Sequence, residues 1–201
     1  MTRFVDRGAI FAAYVGIGMA ATMAISFLLV IPIEPIYWAL SIPAGVLIGY
    51  YANQRSDRRT GPLLRILMNG LVGGVATGVT LAALLLLVKA VFFLADTGYP
   101  DFNRTDAAGN SVPPSCATGA DCVYRRYLAA GRGANLEAAG VTDARSFTGF
   151  YWSQQGSTAG LLLGIATGGA LAGACVYAVA RPRRADPRRA DRPSAADVPS
   201  A

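Results

Sequence analysis

The sequence predicts an all-α membrane protein: a four-helix transmembrane bundle with a disulfide-containing outer loop between helices 3 and 4. Three observations lead there. Of 201 residues, 53% are hydrophobic and 15% charged, against roughly 25% charged in a soluble domain. The apolar residues collect in runs of about bilayer length. The arginines gather in short segments between and after those runs, which is topological information and not a nucleic-acid surface.

The first run, about residues 8–31, carries no charge and would make about 36 Å of helix, enough to cross a hydrocarbon layer. Arg3 and Arg7 precede it as they would in a signal peptide, but the run exceeds the usual apolar core of about 7–15 residues, so it is read as a span. Pro32-Ile33-Glu34-Pro35 then breaks the helix, because proline lacks the amide donor and restricts its predecessor. The second run, about 36–53, is bracketed by Tyr37-Trp38 and Tyr50-Tyr51, amphipathic rings that favour the two membrane interfaces. Pro43 within it predicts a bend or a loosened turn. The polar turn QRSDRRTGP leads to the third run, 63–94, which is longer than one crossing and predicts tilt or an interfacial start at Arg65. A loop at 96–157 follows, and the fourth run, 158–180, stops against Arg181-Pro182-Arg183-Arg184. The tail, 181–201, is rich in Arg, Asp, Ala and Pro and predicts a disordered basic cytoplasmic segment able to attract anionic lipid.

With the N-terminus inside, twelve arginines flank the spans on the inner side and five, at 104, 125, 126, 132 and 145, lie outside. The positive-inside rule therefore predicts cytoplasmic N- and C-termini in a multi-pass cell-membrane protein. Seventeen arginines to one lysine, and the composition of the tail, point to a GC-rich bacterial genome.

Cys116 and Cys122 fall in the outer loop with C-x5-C spacing, and an oxidising compartment favours a disulfide between them. Cys175, inside the fourth run, reads as a small packing residue. Within the loop, 123–130 and 135–139 have helix-compatible composition, separated by Gly131 and Gly133, and the aromatics of 147–152 read as anchors at the outer interface.

The most specific pattern is a pair of small-residue ladders: Gly70, Gly74, Gly78 and Ala82 in the third run, Gly160, Gly164, Gly168 and Ala172 in the fourth. Four-residue spacing aligns them on one face, so both ladders are expected to serve helix packing within the bundle. GLVGGVATGVTLAALL from Gly70 matches GLLLGIATGGALAGAC from Gly160 at eight of sixteen positions, so an inverted internal repeat and shared Gly/Ala/Leu composition are both open. A weaker ladder, Gly16, Ala20 and Ala24, lies in the first run.

Chemistry-bearing residues are few. There is no histidine, which removes Ser-His and Cys-His nucleophile pairs, common zinc sites and histidine proton relays. Phosphate-binding GxxxxGK[ST] and strand-linked GxGxxG loops are absent. No catalytic, cofactor or metal site is expected. Lys89 and Glu34 are the candidate intramembrane charges: Lys89 is expected to snorkel to the outer headgroups, with pairing to Glu34 as the other reading. Hydroxyls at Thr77, Thr80 and Thr167 either bond their own backbone or line a polar path. The expected partners are the lipid bilayer and another membrane protein or a second copy, not nucleic acid. The functional expectation is non-enzymatic association through the helices or the outer loop; a small transporter or channel subunit is the alternative.

Overall fold

The computed structural model describes residues 6–30, 33–57, 61–94, 108, 110 and 119–180. Among them the chain is all-α: α1 (Arg7–Ala24), continued by a π-helical segment (Ile25–Val30), α2 (Glu34–Gln54), α3 (Leu63–Leu94), α4 (Ala120–Ala129), α5 (Gly133–Ala138) and α6 (Ala144–Ala180). Three helical stretches are long and apolar enough to cross a membrane, namely α1 with its π segment, α3 and α6. At 21 residues α2 is of comparable length to α1, but Tyr, Trp, Ser, Pro and Asn side chains dilute its apolar content.

The starts of α1 and α2 have local causes. Asp6 caps α1, its carboxylate accepting from the backbone N–H of Gly8 at 2.9 Å and Ala9 at 3.3 Å, which satisfies two of the donors a helix start leaves unpaired. In α2, Pro35 sits in the first turn, where a missing donor costs nothing. The helix runs unbroken through Pro43. In the preceding turn the Ser41 hydroxyl donates to the Trp38 carbonyl at 2.7 Å.

The helices alternate in direction. Tyr37 of α2 donates its hydroxyl to the Leu81 carbonyl of α3 at 2.7 Å, and sixteen residues later Asn53 Nδ2 donates to the Ile66 carbonyl at 3.0 Å. These two bonds fix α2 antiparallel to α3 over about 24 Å. Gly70, Gly74 and Gly78 of α3 meet Ala174, Ala170 and Leu163 in that order, so α6 is antiparallel to α3 as well. Both α1 and α6 pack on the α2–α3 pair, on opposite sides of it. The main core fills the half of the bundle around Leu28, Tyr37, Leu81, Leu85 and Leu162.

The segment between α3 and the fourth apolar run departs from expectation. Instead of beginning near residue 158, α6 begins at Ala144, some fourteen residues earlier. The cause is a reciprocal cap: Asp143 Oδ1 accepts from Ser146 N at 2.7 Å, while Ser146 Oγ accepts from Asp143 N at 3.2 Å. Phe147 and Tyr151, one turn apart, are buried against Val123, Tyr127, Leu136, Val141 and Phe93. These two rings therefore form the core of a small cap made by α4, α5 and the start of α6. Gly131 and Gly140, both at φ 75°, end α4 and α5 in the left-handed conformation that glycine tolerates best.

Candidate functional site

Two features carry polar or recognition potential: a buried ion pair at one end of the bundle and the small-residue faces of α2, α3 and α6.

The ion pair joins Lys89 Nζ to Glu34 Oε2 at 3.0 Å, with the lysine side chain 2% exposed and the glutamate 30%. The position follows from the fold, since Glu34 opens α2 where α2 begins to run down α3, and Lys89 stands two turns beyond the Tyr37–Leu81 contact. A carboxylate at a helix N-terminus also gains from the helix dipole. The snorkelling expected of Lys89 is thus replaced by inward pairing, because a carboxylate within reach offsets desolvation that hydrocarbon alone would not.

At the opposite end, Asp6 ties α1 to α2 and α3. Besides capping α1 it accepts from the Ser56 hydroxyl and, at 3.0 Å, from Asn69 Nδ2, while Asn69 Nδ2 also reaches Asn53 Oδ1 at 3.4 Å. Sequence reasoning missed this network, although its four polar residues, Asp6, Asn53, Ser56 and Asn69, lie at or inside the ends of apolar runs. The hydroxyls of Thr77 and Thr80 donate to the carbonyls four residues back, both at 2.8 Å, which is the backbone-bonding reading. Thr167 Oγ1 is buried and makes no hydrogen bond among the described residues.

The two glycine ladders part company. A Cβ built on Gly70 would stand 2.8 Å from Ala174 Cβ, one on Gly74 2.5 Å from Ala170 Cβ, and one on Gly78 2.9 Å from Leu163 Cδ1. The α3 ladder is therefore an internal contact face. Gly160, Gly164 and Gly168 would each meet nothing within 4 Å. The expected packing role of this second ladder inside the bundle is corrected: it faces outward, together with Gly156 and Ala172. The inward row of α6 is Leu162, Ala166, Ala170 and Ala174, about 200° around the helix from the glycines. Flanking that row, Gly169 and Gly173 meet α2 backbone at Ile42 and Val46, and Gly45 and Gly49 of α2 meet Ala166 and Ala170. Residues equivalent in the repeat alignment thus occupy different environments. Gly16 of the weaker ladder faces Thr77, and Ala20 and Ala24 are buried.

Cys122 is buried in the first turn of α4, and Cys116 lies outside the described residues, as does the tail 181–201. Cys175 is a free thiol exposed on α6, so it does not pack inside the bundle. Among the described residues no group of three or more His, Cys, Asp or Glu is arranged to hold a metal ion. Comparison with protein-family models, curated proteins and solved structures finds no match.

Proposed function

We propose that this chain is a four-span membrane protein that acts without enzymatic activity, by associating through the outward glycine face of α6 with another membrane protein or a second copy of itself. The observation that carries the reading is the empty surround of Gly160, Gly164 and Gly168. In lipid, apolar burial gives no net drive between helices, and association depends on close backbone approach at small residues. A row of exposed glycines on a helix that already has its internal contacts is suited to that use.

Support for α2 as the fourth span comes from its course. It accompanies α3 from the Glu34–Lys89 pair to the Asn53–Ile66 bond, so it covers the same depth as a helix long enough to cross. Arg7, Arg55, Arg65 and the end of α6 gather at one end of the bundle, joined by the Phe11–Tyr51 and Tyr50–Tyr177 ring contacts. By the positive-inside rule this end faces the cytoplasm and the α4–α5 cap faces outward. In that orientation Cys116 and Cys122 share an oxidising side, and their disulfide would tie the chain ahead of α4 to the cap.

The transporter alternative has the buried ion pair in its favour, but α2 and α6 meet backbone to backbone at Gly45, Gly49 and Gly173, which disfavours a solute path between them in one copy. Mild detergent extraction, cross-linking and co-purification test the association. Gly160→Ile with Gly164→Ile should abolish the complex without lowering the melting temperature of the isolated chain. A parent protein that extracts alone as a monomer, or selective solute flux in liposomes holding only this chain, would overturn the proposal.

A further inference from the structure

The arginine-bearing end of the bundle holds a second recognition surface, between α1 and α2. Arg55 places its guanidinium 5.5 Å from the Tyr51 ring centroid and 6.0 Å from that of Phe11, and the two rings are themselves 5.9 Å apart. Contact with ring faces fixes the guanidinium and consumes none of its five N–H donors. Among the described residues no carboxylate pairs with Arg55. Arg7, exposed and also without an ion-pair partner among those residues, precedes Phe11 by four positions and so shares its face of α1. Continuing along that face, Phe11 is 50% exposed and Tyr14 71%. Two cationic groups thus stand at the end of an apolar strip.

Among the described residues, the nearby acids do not cancel this charge. Asp6 is turned into the bundle, spent on Gly8, Ala9, Ser56 and Asn69. Asp57 is exposed beyond α2 and makes no ion pair with Arg55.

We propose that this surface seats one anionic phospholipid, its phosphate held between Arg55 and Arg7 and its acyl chains lying over Phe11 and Tyr14. The proposal rests on the reading of α1 and α2 as spans. Charge complementarity selects an anionic headgroup, and the apolar strip continuing from the arginines selects a lipid over free phosphate. Arginine suits the site because a planar guanidinium both stacks on rings and presents paired donors to phosphate, which an ammonium group does not.

The test uses the full chain in detergent, equilibrated with equimolar phosphatidylglycerol and phosphatidylcholine of matched acyl chains, with retained lipid read by native mass spectrometry. Phosphatidylglycerol should be preferred by about tenfold, Arg55→Gln should lower its retention about fivefold, and Arg7→Gln with Arg55→Gln should erase the preference. Arg55→Lys should recover less than half of the loss, and Arg125→Gln at the far end should change nothing. Millimolar inorganic phosphate should leave the lipid bound; displacement by phosphate would overturn the lipid assignment. Equal retention by the parent and the folded double variant would also overturn the proposal. Release of the parent chain from membranes by alkaline carbonate would instead sink the span reading, and this site with it.

Discussion

Gly49→Ala and Gly164→Ala make the same chemical change in two neighbouring helices and should move stability in opposite directions. A Cβ at Gly49 would lie 1.8 Å from the Ala170 carbonyl oxygen and 2.5 Å from its carbon. Both obstacles are backbone, so no rotamer change relieves them. Ordinary contact begins near 3.4 Å, and reaching it requires α2 and α6 to part by about 1.6 Å along this line. The same movement loosens Gly45 on Ala166 and Gly173 on Val46. Overpacking a tight interior costs about 1–3 kcal/mol, and a rigid obstacle on a shared row of contacts puts this case near the upper end. Alanine returns up to about 1 kcal/mol of helix propensity, leaving a net loss of about 2 kcal/mol. At Gly164 nothing lies within 4 Å, so only the gain of up to about 1 kcal/mol remains. The variants should differ by about 3 kcal/mol, which for a chain of this size is about 6–12 °C in melting temperature. Circular-dichroism melts of both variants and the parent in one detergent, at concentrations where the chain is dissociated, measure it. Equal melting temperatures for the two variants would refute the assignment of inner and outer glycine faces.

Other expectations follow from the polar contacts. Glu34→Gln, Lys89→Met and their combination should give a coupling energy of about 1–3 kcal/mol in a double-mutant cycle, read by denaturant unfolding; additive single effects would mean the pair contributes no specific interaction. Asp6→Ala should cost about 1–2 kcal/mol, since it removes the α1 cap and leaves Asn69 Nδ2 without the carboxylate it now shares, and amide exchange should quicken first at Gly8 and Ala9. Asp143 is held below the ordinary aspartate value of 3.8, first by the backbone N–H of Ser146 and then by its hydroxyl. A folded value below the unfolded one means the cap's contribution is complete above 3.8 and is lost as pH falls through the lowered folded value. Amide exchange at Ser146 and Phe147 should therefore rise only in that acid range, and Asp143→Asn should remove the pH dependence while retaining much of the cap.

The extent of α1, α2 and α3 was legible because bilayer-length apolar runs admit few other structures, and the polar turns between them contain proline or glycine. The start of α6 was not, because a hydropathy reading ends the span where Gln154, Gln155 and Ser157 appear, whereas the helix is continued by the Asp143–Ser146 cap and by burial of Phe147 and Tyr151 under α4. Spacing identified the small residues but could not say which faces met, since a ladder is a property of one helix and contact a property of two. In α3 the glycines took the inner face; in α6 alanines did, two positions away in sequence and on the other side of the helix. Lys89 illustrates the same limit. Its distance from the end of α3 allowed snorkelling, and only the antiparallel placement of α2 brought Glu34 to it.

The outer α6 ladder is not explained by the folding of one chain. Each glycine inside a helix gives up about 0.8–1 kcal/mol relative to alanine, and in α2 and α3 that cost is offset because Gly45 and Gly49 admit α6 backbone, and Gly70, Gly74 and Gly78 admit the Ala174, Ala170 and Leu163 side chains, closer than an added methyl group would allow. Gly160, Gly164 and Gly168 receive no such return within the bundle, so about 3 kcal/mol of helix propensity is surrendered with no closer packing inside the chain to offset it. Lipid tails do not demand glycine, as they accommodate leucine or valine at least as well. A second helix lying close along this face would recover the cost in the way α2 does on the other side, where Gly45, Gly49 and Gly173 meet backbone at a distance that any larger side chain would prevent. That unrecovered cost distinguishes the glycine face from the Val176 and Val179 surface beyond it, which is exposed but gives up nothing comparable.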